Sequence, residues 1–234
     1  MNRKRSILIK QLKWAFSLIE MLIVLTVLGV LFAVAAPNLF TLLQATSLSS
    51  EGNLVRNFLT QAQQLALSRN TDVEVRFFRM SDPSAADLED EFRAFQFFQY
   101  DQRGQLSPAS KFFRIKSPVY ISDDPKLSTL LDPAANSDKE GKRYGYLSPS
   151  VGKGEVFVGG EDKGVSVPFV SFRFRADGST DLPGRSRSSD VYQGGDTWFL
   201  TLVQGGGDGQ GGGLTNYYTI QLDPFTGRLG VFRP

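Results

Sequence analysis

Trp14-Ala-Phe-Ser-Leu-Ile-Glu-Met-Leu-Ile-Val-Leu-Thr-Val-Leu-Gly-Val-Leu-Phe-Ala-Val-Ala-Ala-Pro37 is the stretch on which the reading of this chain turns. From Phe16 to Ala36 it holds one formal charge, Glu20, in an otherwise apolar run. As a helix rising about 1.5 Å per residue the run is about 32 Å long, close to the hydrocarbon thickness of a bilayer. A helix closes its own backbone hydrogen bonds, so it is the form such a run takes in lipid. Glu20 needs its own explanation, because a charge at the centre of a membrane helix costs about 3 kcal/mol on insertion scales and usually has a partner. Ahead of the run stand Arg3, Lys4, Arg5, Lys10 and Lys13, with no acid among them. Positive flanks stay in the cytoplasm, which puts the N-terminus inside and residues 38 onward outside.

Two plainer readings fit part of this pattern. A basic start followed by an apolar run describes a secretory signal peptide. Here the run is longer than a usual signal core, and small residues spaced for a cut occur only near Ala33 to Ala36. A plain signal anchor is the other alternative. Neither accounts for Glu20.

Downstream of Pro37 the apolar residues become periodic. Leu39, Leu42, Leu43, Leu54, Val55, Phe58, Leu59, Ala62, Leu65 and Ala66 recur at three- and four-residue steps, the stripe of an amphipathic helix. Gly52 and the serines of 47–50 weaken helix propensity locally. The pattern predicts one long helix over 17–69, ended at Arg69-Asn70, with Pro37 able to kink it where it leaves the bilayer.

After Asn70 the period changes to two. Val73, Val75 and Phe77 alternate with polar neighbours in a strand over 71–79, and an aromatic strand comes next over 92–100. A third strand over 111–121 is broken at Pro118, and residues 122–142 read as a loop with a short helix. Further strands are expected over 143–147, 155–158, 169–175, 197–203, 217–222 and 229–232. The whole is an α+β chain whose long helix is packed on an antiparallel β-sheet head. The expected divisions are 1–15, a basic leader; 16–37, a transmembrane helix; 38–70, its amphipathic second half; and 71–234, the β-rich head, with the leader and its end at 15 implied by the family resemblance of residues 15–20.

The chain has no Cys and no His, which removes disulfides, zinc sites of the usual kind and Cys- or His-dependent hydrolase chemistry. No enzyme activity and no cofactor are expected. The formal charge is +2, but five of the 26 basic residues precede Trp14, so the rest is mildly acidic. That balance argues against nucleic acid as the main partner.

Ala15-Phe16-Ser17-Leu18-Ile19-Glu20 resembles the cleavage and methylation motif of type IV pilins and type II secretion pseudopilins. The resemblance implies that a prepilin peptidase/methyltransferase in the inner membrane cuts after Ala15 and N-methylates Phe16. It also implies that Glu20, at the fifth mature position, serves assembly, and that Pro37 matches a proline common in the family. The family usually has Gly before the cut, where this chain has Ala15. Phe172-Arg-Phe-Arg-Ala-Asp-Gly178 and Tyr218-Thr-Ile-Gln-Leu-Asp-Pro-Phe-Thr-Gly-Arg228 resemble strand and turn motifs of the minor pseudopilin H and FimT type of head. The closing segment from Leu222 to Pro234 also resembles the type D protein of Verru_Chthon cassettes.

Membership of such a family implies a single-pass inner-membrane protein, its N-terminus cytoplasmic and its head periplasmic. It would be a structural, minor subunit that assembles with other pilins or pseudopilins into a type II secretion pseudopilus or a type IV pilus-like filament. In such an array Glu20 meets the freed Phe16 amine of a neighbour or its own, an attraction strengthened by low dielectric. The alternatives are a minor pilin whose head binds DNA or a surface, and a plain membrane-anchored domain.

Other residues invite chemical readings. Gln204 to Leu214 is glycine-rich around Asp208 and reads as a solvated hairpin connection, a contact loop or a carbonyl-rich calcium site. Asp82, Asp87, Glu89, Asp90 and Glu91 form an acidic stretch, a surface loop more than a paired-carboxylate site. Arg173, Arg175, Arg185 and Arg187 read as a basic patch, salt-bridged or solvated.

Overall fold

A computed structural model describes residues 17–81, 90–101, 103–132, 150–156, 165–182, 198–205 and 216–234, the side chains of 34–44, 150, 155, 156 and 165 excepted. The chain forms two compact units, Met1–Leu43 and Gln44–Pro234.

One helix, α1 (Leu18–Arg69), supplies residues to both units. It begins where Ser17 O accepts the Glu20 and Met21 N–H groups at 3.0 and 3.2 Å. It ends where Asn70 takes φ +48° and Thr71 N–H returns to Ala66 O at 3.2 Å, the closure that satisfies last-turn carbonyls. The end expected at Arg69-Asn70 is observed.

In the second unit the described residues form a ten-stranded sheet. The strands are β1 (Val73–Met80), β2 (Glu91–Tyr100), β3 (Leu106–Pro108), β4 (Phe113–Arg114), β5 (Val119–Ile121), β6 (Ser150–Val156), β7 (Val165–Phe174), β8 (Trp198–Gln204), β9 (Tyr218–Leu222) and β10 (Leu229–Phe232). Their order is β10-β9-β8-β5-β2-β1-β7-β6, with β3 and β4 also on β2, and every described pairing is antiparallel. The expected strand over 111–121 is two short strands separated by a tight turn at Ser117-Pro118, where Val119 N–H donates to Lys116 O at 3.0 Å. The short helix expected in 122–142 is a 3-10 turn over Thr129–Leu131. Strand β3 was not anticipated, since Leu106-Ser-Pro108 is too short and too exposed to show a period. The strand expected over 143–147 lies outside the described residues.

Residues 48–66 of α1 bury their apolar stripe on the sheet. Leu48, Val55, Phe58, Leu59, Ala62 and Ala66 are no more than 2% exposed. The Phe58 ring sits 4.4 Å from Phe95, 4.8 Å from Phe97 and 5.6 Å from Phe113, with Phe95 and Phe113 stacked beside it. Such edge and offset contacts add about 0.5–1.5 kcal/mol per pair beyond burial.

The simple alternation read in β1 understates that strand. Val73, Val75 and Phe77 face the main core as expected, but Glu74 and Phe78 on the other face are buried too. Phe78, Ala94, Val167 and Phe169 form a second apolar cluster, with Phe98 and Phe112 packed against it.

Candidate functional site

The site singled out by sequence is the start of α1. Leu18 is the first helical residue, so Ser17 stands at the cap position and Glu20 in the first turn. Ser17-Leu-Ile-Glu20 has the spacing of a capping box, in which the cap hydroxyl and the third-position carboxylate satisfy free N–H groups of the helix start. A carboxylate there also meets the positive end of the helix dipole. That spacing suits Glu20 to starting the helix, a local role that sequence reading missed; the described hydrogen bonds at this end are the backbone ones to Ser17 O.

Around it the helix is apolar on every side and uncovered. Every large apolar residue from Leu18 to Phe32 is at least 44% exposed. The methyl-bearing Thr26 hides its hydroxyl by donating to Ile23 O at 2.8 Å. Among the described residues no helix is long and apolar enough to cross a membrane. The described side chains of this run are Leu18 to Ala33, whereas the apolar sequence extends from Phe16 to Ala36. Ala15 and Phe16 lie outside the described residues. Helical backbone continues through Ala36 and Pro37.

Within the second unit, three contacts fasten α1 to the sheet. At Gly52 the Tyr218 ring packs against the helix backbone, and a Cβ there would overlap the ring's Cγ and Cδ atoms. Tyr218 OH donates to Asn53 Oδ1 at 2.8 Å, so the ring is fixed at both ends. Gly52, which weakens the helix in isolation, is the point of close approach. Further along, Gln63 Nε2 donates to Gly178 O at 2.9 Å and to Thr226 O at 3.0 Å. This joins the two turn motifs. Gly178 (φ +82°) closes the turn from Arg175, Gly227 (φ +65°) closes the turn from Asp223, and Thr180 N–H donates to Pro224 O at 2.9 Å. A Cβ on Gly227 would overlap the Gly178 carbonyl and Gln63. The third contact is Arg233, whose guanidinium donates to Ser49 Oγ and, at 3.3 Å, to Ala45 O.

One acid is buried in this interface. Glu51 is 5% exposed, and its Oε2 has no hydrogen-bond partner among the described residues. Burial pushes its carboxyl above the usual glutamate range, opposed by the N–H and the charge of Lys116. The turn acids behave in the opposite sense. Asp177 is held low by the Ser179 hydroxyl and N–H. Asp223 is pushed up by partial burial, but hydrogen bonds from the Thr226 hydroxyl and the Phe225 and Thr226 N–H groups leave it lowered.

The remaining sequence candidates disperse. Glu91 pairs with Arg93 at 2.6 Å, and Arg79 pairs with Asp123 at 2.5 Å. Arg79, Glu91 and Asp123 line a polar cleft with Asp90, Tyr120 and Ser122. Asp82, Asp87 and Glu89 lie outside the described residues, as do Arg185, Arg187 and the Gly-rich stretch beyond Gly205 with Asp208. Arg173 is engaged with Glu74 and Asp181, while Arg175 is exposed. Among the described residues no group of acids is placed to hold a metal ion.

No protein-family model matches the sequence, and no curated protein matches it. Two solved structures are similar to this chain at a low level. The minor pseudopilin EpsH from the type 2 secretion system of Vibrio cholerae is 9% identical, with a TM-score of 0.38 over 80% of this chain and 98% of that one. The type IV minor pilin FimU of Pseudomonas aeruginosa is 10% identical, with a TM-score of 0.40 over 82% of this chain and 95% of that one. Likeness at that level defines neither a fold nor a family.

Proposed function

We propose that this chain is a structural subunit of a pilin-like filament, a type II secretion pseudopilus or a type IV pilus. In this reading residues 1–15 are a leader removed before Phe16 by a prepilin peptidase, which also methylates the new amine. Residues 16–37 lie in the inner membrane before assembly and among other such helices afterwards. Gln44–Pro234 is the head, outside the membrane. The subunit would be of the minor type, since long connections rather than a minimal head dominate the sequence.

The observation that carries the reading is the change of burial along α1. Between Leu18 and Phe32 the large apolar side chains are 44–87% exposed, whereas Leu48, Val55, Phe58 and Leu59 are 0–2% exposed. A helical segment that is apolar all round belongs in lipid or against other helices. Glu20 then has two roles. It starts the helix, and once Phe16 is exposed its carboxylate meets that amine or a neighbour's, setting axial register.

The test is intact mass and N-terminal sequencing of the chain made together with a prepilin peptidase. The expected product begins at N-methyl-Phe16. A product beginning near residue 37, or an uncut Met1 in both the natural chain and Ala15→Gly, overturns the reading. Glu20→Gln keeps a capping side chain but removes the charge. It is expected to be cut normally and to fail in subunit cross-linking, which separates assembly from helix starting.

A further inference from the structure

On the face of the sheet away from α1, two arginines address one buried carboxylate. Glu74 on β1 stands opposite Arg173 on β7 and Phe98 on β2. It is 5% exposed. Its Oε1 accepts Arg76 Nε at 2.7 Å, and its Oε2 accepts Tyr100 OH at 2.7 Å. Arg173 Nε lies 3.7 Å from Oε2 and 3.9 Å from Asp181 Oδ2, too far for direct hydrogen bonds. Hydrogen bonding to Glu74 and burial push the Tyr100 hydroxyl up, burial first, so it stays a donor to the carboxylate.

Aromatic rings hold both guanidinium groups. Arg76 lies 4.3 Å from the Phe98 ring centre and 4.3 Å from that of Phe169, one on each neighbouring strand. Arg173 lies 4.8 Å above the Tyr100 ring. A guanidinium has five donors in a rigid fork. Here the Nε ends turn toward Glu74, and the Nη ends of both arginines have no partner among the described residues. The two side chains are 17% and 34% exposed, so these ends reach solvent.

We propose that the Nη groups of Arg76 and Arg173 form a clamp for a carboxylate from outside the fold. Its donors are fixed in advance by the rings and by Glu74, so little side-chain freedom is lost on binding. The ligand is a monoanionic carboxylate rather than a phosphate. Glu74 and Asp181 balance the two arginines, so the site offers no net positive charge to offset the desolvation of a dianion, whereas the planar fork matches the two oxygens of a carboxylate. An acidic side chain of a polypeptide and a small free carboxylate share this chemistry. The site is independent of the filament reading, since no part of it lies in α1.

The full chain, labelled with 15N-arginine and held in detergent micelles, is titrated with sodium acetate, a hexaglutamate peptide or inorganic phosphate. Sodium chloride at equal ionic strength is the control. The Nε–H signals of Arg76 and Arg173 are expected to shift together and to saturate at millimolar carboxylate. Saturation by acetate and peptide alike supports a small-carboxylate site, and saturation by the peptide alone supports a polypeptide ligand. Arg76→Lys keeps the charge but loses the fork, and is expected to weaken the saturable Arg173 shift at least ~5-fold. Arg173→Lys, at the more exposed arginine, gives the reciprocal readout on Arg76 if Arg76→Lys disturbs the spectrum elsewhere. A linear response matching chloride, an undiminished response in the lysine variants, or tighter binding of phosphate than of acetate overturns the proposal.

Discussion

The first and second halves of α1 both carry leucines along their length, yet those leucines end in opposite environments. Leu25 is 67% exposed and Leu59 is fully buried. Composition and arrangement both separate them: 18–32 holds one Glu, one Thr and one Gly among apolar residues, while 45–69 is rich in Ser, Asn, Gln and Arg. From Leu18 to Phe32 apolar residues surround the helix, so no orientation against a single sheet could cover them. From Leu48 to Ala66 they form one stripe, interrupted by Asn53, Arg56, Asn57 and Gln61 on the other side. One sheet covers that stripe completely. A helix takes its surroundings from its pattern of apolar residues, and this chain joins two patterns in one helix.

The comparison is broken most severely at Phe58. Phe58→Ala removes a ring from the aromatic cluster and is expected to destabilise the chain by about 3–5 kcal/mol, read by denaturant melting. Next comes Gly52→Ala. Helix propensity alone favours alanine by about 1 kcal/mol, but the Tyr218 ring occupies the space. The clash dominates, and a loss of about 1–3 kcal/mol is expected. If Gly52→Ala is instead stabilising, the close approach at this point is not what holds the helix. Gln63→Ala deletes two hydrogen bonds that tie α1 to the paired turns and is expected to cost about 1–2 kcal/mol. Hydrogen exchange should rise at Gly178 and Gly227 in that variant, while β1 stays protected.

Glu51→Gln is expected to act in the opposite direction. The folded carboxyl titrates above its unfolded value of 4.5, because burial disfavours the charge. The native state therefore holds a proton that the unfolded state has lost, and stability falls as pH rises through the folded value. Replacing Glu51 removes that loss, so the denaturation midpoint at pH 7 rises. The gain shrinks as pH is lowered toward 4.5. Asp177 and Asp223 run the other way. Their lowered values give stability that is present above 3.8 and lost as pH falls through the folded values. A Glu51→Gln gain that persists unchanged at pH 4 would mean the effect is not electrostatic. The smallest effect belongs to Leu25→Ala, expected to change melting by no more than about 0.5 kcal/mol, because Leu25 lies exposed and outside both core clusters. A loss comparable to that at Phe58 would erase the distinction between the two halves.

Some features were legible in local sequence because their causes are local. The helix was expected over 17–69 and is observed over Leu18–Arg69, since periodicity and the Arg69-Asn70 stop act within a few residues. The break in the strand over 111–121 came from Pro118. Glu20 was visible as an anomaly in an apolar run, and its capping-box spacing with Ser17 was readable but overlooked. Gly52 was misjudged as a weak point, because nothing adjacent in sequence announces a ring brought from residue 218.

The sequence by itself determined the two patterns of α1, the places where strands alternate, and the absence of Cys and His chemistry. Each depends on residue type and short spacing. Only the tertiary structure decided that β5 lies between β2 and β8, and that the Gly178 and Gly227 turns meet at Gln63. It also decided that Glu74, Arg76 and Arg173 share one face with Phe98, Tyr100 and Phe169. These contacts join residues from roughly 20 to more than 150 positions apart. Chain order carries no record of which distant strands will pair, and only packing the whole apolar surface at once selects among the possible arrangements.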